Sequence, residues 1–486
     1  MLRKTNPEAY TPLTISIGPY HHGKLELRKM ERSKELYTQS FLNRTQRLSV
    51  EECWKKLKNL EGEAKRFYGD EIEEEVSGDE FVKMLLLDGC FMVEFVIRES
   101  GVVKRQECIV DPIFMIRGMV GNVVRDMLLL ENQLPFFVLQ SLYDMISNRP
   151  GNLEFPEIVK RAFQHWLPKK TIISLPACPA QEIKHLLQLV HILCQPQNNG
   201  QIQQQKAACS SSSCCFWKQP QSSSGDSDNE SQSLSNGKHR HRHWACFLCK
   251  FWEQSTDDHE VELCSMRTAS ELQEAGVHFK KLGKISDTSN GTISLFDIKF
   301  NHGGILEIPS FSLYDSTETF FRNLIAYEQH SPYVHPMYFT DYAMFMDDLI
   351  NTEKDVNLLR LKGVFLNGLG DDKEVTRLFN NLCIEVTISD DFYYQDVCKK
   401  LNRHCNKPWN AAMAKLRRNY FYSPWAGIST FAAILLLSLA IAQTLISALQ
   451  LHMNAAFNAG CREWVSSLVF NFWCNFGQGL LSNEVL

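Results

Sequence analysis

The alternation of apolar and polar positions predicts helix after helix along the first third of the chain. In 49–67, Ser49 stands as an N-cap with Glu52 three residues on, a capping box, and Cys53, Leu57 and Leu60 recur at helical spacing. The stretch 26–44 is charged, with apolar residues at Leu27, Met30, Leu36 and Tyr37, and Asn43 or Thr45 would end it. Two stretches are apolar nearly all round: 79–98 (DEFVKMLLLDGCFMVEFVIR) and 126–143 (DMLLLENQLPFFVLQSLY). Such helices belong in the middle of a large core or in a membrane. The internal carboxylates Asp88, Glu94 and Glu131 favour the core, and Pro135 is expected to kink or restart the second stretch.

The pattern then breaks. Residues 195–265 carry Gln- and Ser-rich runs, an acidic stretch (226–230) and a basic one (238–243). Such tracts bury too little apolar surface to offset chain entropy, so a disordered insert is expected, with Trp217, Trp244, Phe251 and Trp252 docking locally. Periodicity returns from 266. Thr268 and Glu271 form a second capping box. Strand character follows at 277–281, 294–300 and 305–308; Asn301-His302-Gly303-Gly304 is the turn of an antiparallel hairpin, and Pro309 ends the last strand. Helices are predicted at 317–329, 341–349, 353–362, 371–383 and 392–415.

From Ala426 to Leu449 no charge interrupts the run AGISTFAAILLLSLAIAQTLISAL. As a helix it would extend about 36 Å, enough to cross a hydrocarbon core of roughly 30 Å. Tyr420, Phe421, Tyr422 and Trp425 form an aromatic belt before it, and Lys415, Arg417 and Arg418 lie just outside. The first cation beyond is Arg462, beside Glu463, so the charge bias puts the large N-terminal part in the cytosol. The tail 450–486 is apolar but interrupted by Asn471, Asn475 and Gln478, and reads as an interfacial segment. The expected division is 1–194, the insert 195–265, 266–418, the span 426–449 and the tail 450–486, with membrane lipid a partner through 426–449.

Composition narrows the picture. Of 486 residues, 44% are hydrophobic and 22% charged, close to globular averages. A net charge of −5 speaks against a nucleic-acid partner bound through a basic face. The 16 Cys are too scattered for a disulfide scaffold, and the first residues lack the apolar run of a signal peptide; both favour reduced thiols in the cytosol. Sequons at Asn43, Asn229 and Asn290 occur at a frequency that chance supplies.

Candidate chemistry is sparse. Cys246 and Cys249 have the spacing that places two thiolates on one zinc ion, and Cys214 and Cys215, or His239, His241 and His243, could complete the set. A strong zinc signal has two spaced pairs, however, and only one exists, so no metal or other cofactor is expected. The calcium-loop start at 226–230 fails at Ser231 and Gly237, where Gly and Glu are needed. Gly368-Leu369-Gly370 lacks the third glycine of a dinucleotide fingerprint and reads as a turn before a helix capped by Asp371 or Asp372. The polar triplet Glu131-Asn132-Gln133 interrupts an apolar run. A buried carboxylate there, or at Asp88 or Glu94, with His21 in a Pro- and Gly-bounded turn, has the chemistry of a general acid. The competing reading is a hydrogen-bonded network clamping helices together.

The segments NPEAYTPLTISIGPYHHGK (6–24), MLLLDGCFMVEFV (84–96), RDMLLLENQLPFFVLQSLY (125–143), RTASELQEAGVHFK (267–280), LEIPSFSLYDSTETFFRNLIAYEQ (306–329), TDYAMFMDDLINTEKDVNLL (340–359) and GDDKEVTRLFNNL (370–382) stand in an order that resembles the plant family named domain of unknown function 247. The resemblance covers nearly everything except the insert and the tail. It departs at both ends: members usually carry more chain before the Asn-Pro-x-Ala-Tyr motif and end soon after the span. It implies a plant protein with no established catalytic residue or cofactor, and some members are similar to candidate determinants of grass self-incompatibility or are linked to growth or defence.

The expected fold is therefore mainly α: a large helical domain with a small antiparallel β-hairpin insert and one C-terminal transmembrane helix. The expected function is that of a membrane-anchored, non-enzymatic recognition or signalling protein with a protein partner. The alternative is a carboxylate-dependent hydrolase or transferase on a membrane surface.

Overall fold

The computed structural model describes residues 2–44, 48–69, 78–103, 111–167, 182–196, 266–282, 294–301, 303–389, 391–410, 412–413 and 424–480. The low-complexity insert expected at 195–265 therefore lies, but for its first two residues, outside the described residues. The chain divides into two compact units, Met1–Gln273 with Val277–Asn406, and Glu274–Gly276 with Lys407–Leu486.

The first unit is built on α1 (Glu31–Asn43), α2 (Val50–Tyr68), α3 (Asp79–Glu99), α4 (Met119–Met127), α5 (Phe136–Asp144), α6 (Phe155–Phe163) and α7 (Leu186–Cys194). As the pattern requires, α3 is the central helix: it packs on α1, α2, α5 and α6, and from Phe81 to Ile97 only Lys83 and Leu87 are not buried. Gly89 lets α5 approach it closely, since a Cβ there would stand 2.5 Å from Leu142 Cδ1. Ser49 and Glu52 make the expected capping box on α2. The stretch 26–44 divides, a 3-10 segment at Leu25–Met30 leading into α1.

The stretch 126–143 is buried as expected but is not one helix. α4 ends at Met127 and α5 restarts at Phe136, behind Pro135. The carbonyls of Asp126, Met127 and Leu129 accept from the side chains of Asn132 and Gln133, and those of Asp126 and Leu129 accept also from the amides of Leu129 and Asn132.

The rest of the unit comprises α8 (Ala269–Glu274), β1 (His278–Leu282), β2 (Lys299–Asn301), β3 (Ile305–Pro309), β4 (Phe311–Leu313), α9 (Ser316–His330), α10 (Tyr338–Leu349), α11 (Glu353–Leu361), β5 (Phe365–Asn367), α12 (Asp372–Leu382) and α13 (Gln395–Cys405). β2 and β3 form the predicted antiparallel pair, but β1 adds parallel to β3, giving a mixed sheet in the order β1-β3-β2. The simple hairpin is thus a partial description. Two further short strands, β4 and β5, pair in parallel. Residues 294–298 turn rather than extend, because the Asp297 carboxylate accepts the Ser294 amide at 2.6 Å. Asp371 caps α12 through the Lys373 amide. The helix predicted for 392–415 divides: α13 ends at Cys405, ahead of Pro408, and the described residues 408–410 and 412–413 are helical again.

In the second unit, α14 (Pro424–Leu480) is a single helix of 57 residues. Its segment Ile428–Leu451, 24 residues, is long and apolar enough to cross a membrane, and none of it is buried. The helix continues through most of the tail that the sequence set apart at 450.

Candidate functional site

Residues 11–18 have no regular secondary structure, yet they run through the interior, with Ile15, Ser16 and Ile17 buried. A buried segment without a ladder must find other partners for its amides. Asp126, at the end of α4, accepts the amides of Leu13 (3.0 Å), Thr14 (2.6 Å) and Ile15 (3.0 Å). Asn132 accepts the Ile17 amide at 2.7 Å and donates to the Ile15 carbonyl at 3.1 Å. Asp88, on α3, accepts the Gly18 amide at 2.9 Å. Gly18 has φ 71°, and a Cβ there would meet the Gln133 carbonyl oxygen at 2.7 Å, so both its conformation and its space require glycine.

The same segment is held from the other side. Asn323 on α9 donates to the Ala9 carbonyl at 2.8 Å and accepts the Leu130 amide at 2.8 Å. Arg125 donates to the carbonyls of Glu8 and Thr11. Arg322 reaches Thr5, Glu318 and the Asn381 carbonyl, and Asn6 donates to Glu318 at 2.8 Å. Glu318 with Arg322, an i,i+4 pair by spacing, is thus one corner of a wider clamp. Gln133 takes the Leu187 amide at 3.1 Å, tying in α7.

The four carboxylate and histidine candidates fall into three places. Asp88 is buried against Lys34, itself wholly buried, at 2.7 Å; Lys34 also meets Glu31 at 2.7 Å. Burial pushes the Asp88 carboxyl above its ordinary range, with Lys34 opposing. Burial also acts against the Lys34 ammonium, but Asp88 and Glu31 outweigh it and hold its pKa up. Glu94, farther along α3, binds Arg44 and, at 2.7 Å, Arg98; Arg98 also meets Asp111 at 2.6 Å and lies over the Tyr37 ring.

Glu131 and His21 come together. Glu131 pairs with Arg3, and its Oε2 stands 3.6 Å from His21 Nε2. Lys24 Nζ lies 2.7 Å from His21 Nδ1; an ammonium only donates, so Nδ1 accepts and the proton of the neutral ring sits on Nε2. Nε2 is buried with no hydrogen-bond partner among the described residues. Burial, aided by Lys24 and Arg3, holds the His21 pKa down to about 4. The metal candidates Cys246, Cys249, His239 and His243 lie outside the described residues.

A second buried polar centre escaped the sequence reading. Glu328 on α9 accepts the Phe339 and Thr340 amides and the Thr340 hydroxyl, and lies 2.7 Å from His191 Nε2 of α7. Nearby Asp341 accepts the Tyr393 amide at 2.8 Å while its Oδ1 has no partner among the described residues. Burial raises its pKa to about 7, the Tyr393 hydrogen bond opposing and Glu328 adding to the rise. The available signal was a lone His191 inside LLQLVHILC and a lone Glu328 behind NLIAY.

The clamp joins residues from five of the seven distinctive segments of the sequence. The UPF0481 protein At3g47200 of Arabidopsis thaliana is 28% identical over 462 residues, covering 91% of this chain and 84% of its own length. The putative UPF0481 protein At3g02645 of the same plant is 24% identical over 484 residues, with 90% and 86% covered. No solved structure matches. With residues 1–439 matched to the family described as plant protein of unknown function, the chain belongs to DUF247.

Proposed function

We propose that this chain is a membrane-anchored, non-enzymatic recognition or signalling protein whose helical unit faces the cytosol. The observation that carries the reading is the apolar segment Ile428–Leu451, none of which is buried. A helix that shows such a surface to water is costly at about 25 cal/mol per Å², whereas hydrocarbon accommodates it. Lys415, Arg417 and Arg418 precede the segment and only Arg462, beside Glu463, follows, which favours the cytosolic side for the preceding chain. The non-enzymatic part is supported by the carboxylates Asp88, Glu94 and Asp126, each engaged by cations or backbone amides in dry surroundings. Protease added to sealed vesicles with the cytosolic face outward should digest the helical unit. Protection of that unit, or glycosylation at Asn43, would overturn the orientation.

The second reading, a carboxylate-dependent hydrolase or transferase, draws on the 3.6 Å approach of Glu131 to His21. Glu131 is half-buried through its pairing with Arg3, which leaves it the most accessible of the four candidates. A hydrolytic activity of the purified full chain that Glu131→Gln abolishes without altering its melting would install this reading in place of the first.

A further inference from the structure

We infer that the exposed cationic face of α13 is a docking surface for anionic phospholipid headgroups; this rests on the membrane reading above. α13 buries Cys398, Leu401 and Cys405, at i, i+3 and i+7, and leaves Lys399, Lys400 and Arg403 in solvent. Lys399 and Arg403 are one turn apart and Lys400 lies between them, so the three charges share one face.

Some surface cations are taken up by acids, and others, such as Lys55 and Lys56 on α2, have no ion pair among the described residues. Lys58 is bound by Glu61 and Asp79, Arg149 by Asp144 and Glu154, and Arg360 by Asp372. No ion pair to Lys399, Lys400 or Arg403 occurs among the described residues. Asp396, one turn before Lys399 and Lys400 on α13, is the acid nearest them in sequence; from 397 to 462 there is none, although the whole chain has net charge −5. Lys407 follows in the same acid-free stretch, and then Trp409, 73% exposed. Tryptophan prefers the headgroup level of a bilayer, where its ring is half solvated.

Charge complementarity selects the occupant. Cations on a flat, open face attract an anionic bilayer through a field that decays within a Debye length, and need no cavity to do so. A small anion would call for a built pocket with converging donors, and α13 presents an open helix face. The stretch also leads, in sequence, directly to the apolar segment of α14.

The test uses the full chain reconstituted into vesicles of phosphatidylcholine alone or with about one part in five phosphatidylserine, and washed at alkaline pH. A membrane-impermeant acylating reagent is then applied and lysine modification read by mass spectrometry. Lys399 and Lys400 should lose about threefold or more of their reactivity on the anionic vesicles and recover it in high salt, following the screening of a surface field. Lys55 and Lys56 on α2 should not change. In a Lys399→Glu, Lys400→Glu, Arg403→Glu variant, the reactivity of Lys407 should no longer depend on the lipid. Equal reactivity of Lys399 and Lys400 on both vesicles, in protein that survives the wash, would overturn the docking surface and leave the anchor standing. Loss of the protein in the wash would overturn the membrane reading itself.

Discussion

The N-terminal clamp and the C-terminal helix invert each other. In the clamp, polar groups are inside: Asp126, Asn132, Asp88 and Asn323 are buried, and each is hydrogen-bonded. In α14, apolar groups are outside: Ile434, Leu436, Leu437 and Leu439 are exposed. The first arrangement is stable in water because each of these buried polar groups is hydrogen-bonded. On the proposed membrane reading, the second has hydrocarbon around it. The contrast separates what holds this protein together from what places it, and each side can be broken alone.

The largest effect is expected from α14. Leu436→Lys with Leu439→Lys introduces two charges near the middle of the segment, at about 2.5–3.5 kcal/mol each on insertion scales. The variant should fail to float with vesicles while its helical unit melts as before. Co-flotation equal to the parent would show that the segment does not sit in hydrocarbon.

On the other side, Asp126→Ala removes the acceptor of the buried Ile15 amide and of the part-buried Leu13 and Thr14 amides, hydrogen bonds to a charged group that are worth about 1.5–3 kcal/mol each. Denaturant unfolding should report a loss of about 3–6 kcal/mol with no change in vesicle association. A loss below about 1 kcal/mol would mean the segment 11–18 finds its partners elsewhere.

Asp341 supplies a pH test. Its folded pKa, about 7, lies above the ordinary 3.8. As pH rises between these values the unfolded chain releases the proton first, so stability falls, and above about 7 the penalty is constant. Asp341→Asn keeps the acceptor for Tyr393 and removes the charge. It should be up to about 4 kcal/mol more stable than the parent at pH 8, the gap closing towards pH 4. A pH-independent difference would remove burial as the cause. The smallest effect is expected of Glu131→Gln: its partner Arg3 is well exposed, so melting should shift by less than about 1 kcal/mol.

Much of this was legible in the sequence, for reasons that differ by element. α3 could be read because apolar side chains around a whole helix admit few settings, and α2 because Ser49 and Glu52 spell a cap. The segment Ile428–Leu451 was legible within two residues at each end, since an uninterrupted apolar run is a length measurement. The break between α4 and α5 was only half visible. Pro135 marked it, but that Asn132 and Gln133 take over helical carbonyls depends on where residues 11–18 run, a non-local fact. The parallel pairing of β1, itself a predicted strand, and that of β4 with β5 were beyond reach for the same reason, because periodicity reports a face and not a partner. At the candidate site, the chemistry of Asp88 and Glu131 could be named, but Lys34 and Arg3, which neutralise them, come from other elements. His191 and Glu328 went unread because a single polar residue in an apolar run does not announce its partner.

The most direct test of the contrast is alkaline extraction of membranes carrying the full chain. If α14 crosses the bilayer, the protein stays in the membrane pellet at high pH, where peripheral proteins held by charge are released. Its appearance in the supernatant would contradict the account, and would require Ile428–Leu451 to be covered by protein instead of lipid.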